Sequence, residues 1–135
     1  MSEHRCQDEI DTSRVVVVEH RRTDLQSATV EPRVRTQIEI APDDPMQSPV
    51  LTLSQSDGRH DVVVEQVAVG RFVIGAHPEK VYDYRLGRSI CELVSAAEPL
   101  KILLTNPGPR SVRVHASLAV VERPGVYSIA KKENP

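Results

Sequence analysis

Hydrophobic and polar residues alternate through residues 28–40, with Ala28, Val30, Pro32, Val34, Thr36, Ile38 and Ile40 on one side and Glu31, Arg33, Arg35, Gln37 and Glu39 on the other. Successive side chains of a strand point to opposite faces, so this pattern predicts one long half-buried strand. Pro32 has no N–H to give a ladder and belongs at an edge or a break. The alternation returns in residues 112–121, where Val112, Val114, Ala116, Leu118 and Val120 oppose Arg113, His115, Ser117, Ala119 and Val121. Shorter apolar stretches at 50–53, 89–94, 100–105 and 126–130 read as further strands. Residues 15–18 are four valines, too β-branched to favour a helix, and predict a strand buried on both faces that the charged stretch 19–24 ends. Residues 61–74 shift phase, since Val62 and Val64 share one parity and Val67 and Val69 the other; a bulge or bend near Gln66 or at Gly70 reconciles them.

Turn chemistry separates these stretches. Residues 41–49 contain three prolines and read as a loop, Asp57-Gly58 suits a turn that needs positive φ, and Asn106-Pro107-Gly108-Pro109 places Pro-Gly at the centre of a tight turn. No stretch sustains a 3.6-residue apolar period, and no internal repeat marks a solenoid or propeller. Roughly eight to ten short strands with turns about every 8–12 residues predict an all-β chain, a single antiparallel β-sandwich of jelly-roll type. An immunoglobulin-like sandwich is the alternative, weakened by the lack of any Trp for a Cys-Trp-Cys core. The expected organisation is a flexible polar arm at 1–13, the sandwich domain at 14–130 and a polar tail at 131–135.

Composition fits that picture. Of the 135 residues 39% are hydrophobic and only 3% aromatic, so the core must be filled by branched aliphatics. A formal charge of −2 gives no long-range field for a general nucleic-acid binder, and stacking faces are scarce, so nucleic acid is not an expected partner. Residues 1–60 hold 7 basic and 11 acidic side chains and residues 61–135 hold 10 and 8, a mild asymmetry that permits weak head-to-tail attraction between copies. The polar first residues lack the apolar stretch of a signal peptide, and no apolar run is long enough for a membrane helix; a cytoplasmic or virion location is expected, with no membrane partner. Cys6 and Cys91 stand far apart and indicate no disulfide framework, and Cys91 reads as a buried, inert thiol.

Candidate chemistry is sparse. His4, His20, His60, His77 and His115 form no close pair, and a metal site built on His77 would want a second histidine beside it and a later glutamate than Glu79. No Gly-x-Ser-x-Gly elbow marks a nucleophile, no Gly-rich loop opens a helix, and Glu65, Asp83, Glu92 and Glu122 are what the polar face of a sheet supplies anyway. Arg85, Arg88, Arg110 and Arg113 could gather into a basic patch, but a solvated face is the better account of them. No catalytic, metal or cofactor residue is therefore assigned. An enzyme would need a pocket that gathers a histidine with Glu92 or Cys91.

One feature points beyond a bland monomer. The face opposite the clean apolar parity still carries Leu103, Ala119 and Val121, which makes them candidate interface residues. The expected function is that of a non-enzymatic structural protein that self-assembles with its own copies or other subunits, as a small capsid, decoration or spike subunit does. The alternative is a sandwich module that binds a carbohydrate or small molecule in loops around His60, His77 and Asn106.

Overall fold

The computed structural model describes residues 20–122, with side chains described over 22–121. The expected arm, the stretches at 15–18 and 126–130 and the tail lie outside the described residues. The strands are β1 (His20–Val30), β2 (Thr36–Ile40), β3 (Met46–Gln47), β4 (Val50–Gln55), β5 (Val63–Val69), β6 (Phe72–Gly75), β7 (Glu79–Lys80), β8 (Arg88–Ser89), β9 (Leu93–Val94), β10 (Leu100–Thr105) and β11 (Val112–Glu122), with a 3-10 turn at Val81–Tyr84. The first sheet has the order β1-β11-β4-β8, the second β2-β10-β5-β6 with β7 also on β5, and β3 pairs with β9 in a small third sheet. Every strand pairing is antiparallel.

Setting aside β3, β7 and β9, the remaining strands are nested: β1 pairs with β11, β2 with β10, β4 with β8 and β5 with β6. The chain is thus a long hairpin rolled so that its two legs alternate between sheets. In an immunoglobulin arrangement the first two strands share a sheet; here β1 and β2 belong to different ones.

Parity decides the core. Leu100, Ile102 and Leu104 of β10 and Val114, Ala116 and Leu118 of β11 are fully enclosed, while the residues between them are half-buried or exposed. Leu51 and Leu53 of β4 and Ile38 and Ile40 of β2 meet them from the neighbouring positions. Burying each large aliphatic side chain contributes about 1.5–3 kcal/mol, and Tyr84 is the one aromatic among the buried core residues described. Sequence alternation identifies these inward positions correctly.

The long strand expected over 28–40 is broken. At Pro32 the chain leaves the first sheet, turns through Arg33 with φ +64, and re-enters in the second sheet at Thr36. The missing proline N–H stops the β1–β11 ladder there, and the Arg33 N–H donates instead to the Asn106 carbonyl (3.1 Å). At its other end β1 includes His20 to Asp24, residues whose charge suggests the end of a strand. An edge strand tolerates this because one of its faces remains wet.

The phase shift in 61–74 is resolved as a bulge opposite Leu103–Leu104, between Val64 and Gln66, followed by a hairpin at Gly70-Arg71. Gly70 has φ +57, the left-handed region that favours glycine, and an added Cβ would make the Glu98 carboxylate move aside. The strand expected over 89–94 is split into β8 and β9, because Ile90 turns into the core and its N–H donates to the Pro49 carbonyl (2.8 Å). Cys91 is consequently pushed outward: it is exposed and disulfide-bonded, not a buried thiol. The Pro-rich loop 41–49 also holds a short strand, whose Met46 is fully buried. No helix among the described residues is long and apolar enough to cross a membrane.

Candidate interaction edge

Strand β6 ends the second sheet on the side opposite β2. Val69 faces Phe72 and Ala68 faces Val73, but the next pair is Val67 with Gly75, which leaves Ile74 as an unmatched bulge residue. Phe72, Val73 and Ile74 are 69%, 53% and 38% exposed. Tyr82 and Leu86 are exposed as well, so five of the eight exposed large apolar residues among those described fall within residues 72–86. Isolated exposed apolar residues need no explanation; this concentration does. Edge strands are ordinarily guarded by charge, and β6 has none between Arg71 and Glu79.

The cause lies in the facing sheet. β8 is only two residues long, so it cannot cover the inner side of β6. The 3-10 turn covers part of that side instead: Val81 and Tyr84 are buried and the turn packs along β4. Asp83 holds the turn by accepting from the Lys80 N–H (2.8 Å). Gly87, with φ +95, lets the chain pass so close to Val50 that an added Cβ would lie 2.7 Å from it. Tyr84 is stacked under the Arg88 guanidinium (4.3 Å), which in turn pairs with Glu79 (2.5 Å). Arg85 lies over Tyr82 (4.5 Å), and His60 meets the Tyr82 ring edge-on.

Burial holds the Tyr84 hydroxyl above the ordinary 10.0 of a tyrosine, with the Arg88 cation pulling the other way and Glu79 adding to the rise. A raised folded-state value means the neutral phenol is the form the fold favours. Its contribution is therefore full below the unfolded value and is lost as pH climbs through the folded one. An ultraviolet absorbance titration should find a tyrosine that ionises above the ordinary value, and Tyr84→Phe should remove that phase and soften the alkaline loss of stability.

Between β6 and β8 a cleft lined by Val67, Ile74, Tyr84, Arg88 and Ile90 holds about 70 Å³. Ligand sites for sugars or drug-sized molecules run to roughly 300–1,000 Å³, so this cleft seats a side chain and not such a ligand.

The residues singled out in the sequence stand on several elements. Asn106 is buried, and its amide serves its own turn: Nδ2 donates to the carbonyls of Val30 (3.0 Å) and Arg110 (2.5 Å), and Oδ1 accepts from the Gly108 N–H (2.9 Å). His60 is half-buried against Tyr82, and His77 is exposed in the loop between β6 and β7. Leu103 is half-buried on the outer face of the second sheet, whereas Ala119 and Val121 are half-buried on the outer face of the first. These three therefore do not form one patch. The four arginines separate too: Arg85 and Arg88 stack on tyrosines, Arg113 donates to Thr29 (3.0 Å) and Arg110 lies in the Asn106 loop. Glu92 is exposed beside Cys91. Among the described residues no group of three His, Cys, Asp or Glu side chains is arranged to hold a metal.

Sequence reading passes over Phe72-Val73-Ile74. The signal present there is three apolar residues in a row directly after a Gly turn, a pattern that neither face of a two-layer sheet requires. No protein-family model, curated protein or solved structure matches the chain.

Proposed function

We propose that this chain is a non-enzymatic structural subunit that associates with copies of itself or with other protein subunits, as capsid, decoration and spike proteins do. The observation that carries the reading is the uncharged edge strand β6, with Phe72 69% exposed at an opening the facing sheet leaves uncovered. Water-exposed aromatic and aliphatic side chains gathered at one edge gain free energy by being covered by protein. The nested strand order supports a jelly-roll reading, an architecture found in viral capsids as well as in lectins and cupins, so by analogy it is compatible with this function without selecting it. A disulfide at Cys91 favours the surface of a particle over a reducing cytosol.

Sedimentation velocity over a range of concentrations tests the proposal. The expected result is reversible association that Phe72→Lys weakens by about tenfold or more, since a charge would have to be buried without a partner. A wild-type chain that stays monomeric at the highest concentration, with no subunit partner, would overturn it.

A further inference from the structure

Each main sheet ends in strands that pair on one side only among the described residues: β2 and β6 in the second sheet, β1 and β8 in the first. β1 packs across from β2, and the cleft shared by Ile74, Arg88 and Ser89 sets β6 across from β8. The sandwich therefore has a β1–β2 edge and, on its far side, a β6–β8 edge. Each sheet runs through four antiparallel strands from one edge to the other. An even number of alternating strands leaves the two end strands running in opposite directions. A second copy set beside the first in the same orientation thus offers β2 antiparallel to β6 and β1 antiparallel to β8, as a continuing ladder requires.

The ladder registers fix which residues then meet. Phe72 stands opposite Val69, Val69 opposite Leu100 and Leu100 opposite Ile40, one row across the second sheet. Arg88 stands opposite Leu51, Leu51 opposite Leu118 and Leu118 opposite Asp24, one row across the first. A sideways displacement along these rows sets Phe72 next to Ile40 of the neighbouring copy and Arg88 next to its Asp24. The ends of one row are apolar and apolar, and the ends of the other are cation and anion. Cross-strand pairs of both kinds are favourable.

The surroundings agree with this match. Among the described residues Asp24 has no ion-pair partner, and it shares an open cleft of about 390 Å³ with Asp43 and Asp44. Arg22, in the same cleft, is turned to the carbonyls of Asp44 (3.1 Å) and Pro45 (2.5 Å), and both it and Arg21 lie past the last row that β8 reaches. Arg88 pairs with Glu79 on one side, yet its side chain stays 42% exposed.

We infer that copies of this chain join head to tail, the β6–β8 edge of one against the β1–β2 edge of the next. The inference rests on the self-association reading above and names the surface that covers β6. Four residues of β6 and two of β8 make a small contact of the weak, reversible class. Because the two surfaces are unlike, each added copy presents a fresh edge, and the twist of the sheets winds the series into a helical filament or a ring.

Sedimentation velocity on Phe72→Lys, which blocks the β6–β8 edge, on Asp24→Lys, which blocks the β1–β2 edge, and on the two mixed one to one tests it. Alone, Phe72→Lys should need about tenfold more protein than wild type to associate, and Asp24→Lys at least about fivefold more, since it sets like charges opposite each other. In the mixture the unaltered edge of each variant meets the unaltered edge of the other. Association should then return to within about twofold of wild type and stop at two copies. Asp24→Asn, with about a threefold loss, replaces Asp24→Lys should circular dichroism show the latter unfolded. A folded Asp24 variant that associates as wild type does, or a mixture no better than its components, would overturn the head-to-tail contact and leave self-association on β6 in place. A wild type that is monomeric throughout removes both.

Discussion

Asn106→Ala should lower the unfolding free energy by about 3 kcal/mol, a large effect for a residue at a loop. Each of its three hydrogen bonds is worth about 1 kcal/mol net, and the Val30 and Arg110 carbonyls lose their side-chain donors. The Val30 carbonyl belongs to β1 and the Gly108 N–H to the β10–β11 turn, so one side chain fastens the end of the first strand to the crossing between sheets. Asn106→Asp should be nearly as damaging, because a carboxylate accepts but cannot donate to two carbonyls. Urea denaturation at constant m-value reads the difference as a shift in midpoint. A change below about 0.5 kcal/mol would mean the turn holds itself without the amide.

The second large effect separates two adjacent residues. Ile102→Ala should cost about 3–4 kcal/mol, since Ile102 is fully enclosed on a central strand and its removal leaves a cavity between the sheets. Leu103→Ala, one position on, should cost about 1 kcal/mol, because Leu103 lies half-buried on the outer face and leaves no cavity. The same denaturation series measures both. Equal losses at the two positions would contradict the inward and outward assignment of β10.

The inward residues of β10 and β11 are legible in the sequence because period two is enforced wherever one face of a strand is dry. The bulge near Gln66 is legible for the same reason, as a failure of that period. Pro32 is ambiguous: the alternation runs on through it, and only its missing N–H hints that the chain will leave the sheet. The identity of the partner strand cannot be read from alternation at all, so nothing in residues 72–74 announces that the facing strand is two residues long and leaves them uncovered. Asn106 looks like a loop ligand because Asn serves equally well as a turn fastener, and sequence does not say which carbonyls will stand within reach. The separation of Leu103 from Ala119 and Val121 is hidden likewise, since parity gives the face of a strand but not the sheet to which it belongs.

The pairing of His20 with Glu122, and of every residue between them in register to Val30 with Val112, joins the earliest described strand to the latest. During synthesis β1 must wait for nearly the whole domain to be made before its ladder can form. Closing that distance before any contact rewards it places the chain among slow, high-contact-order folders, in the millisecond-to-second range. Until then β1 and β4 lack the central strand that lies between them, and a nascent chain in that state is best protected by a chaperone or by being made sparingly.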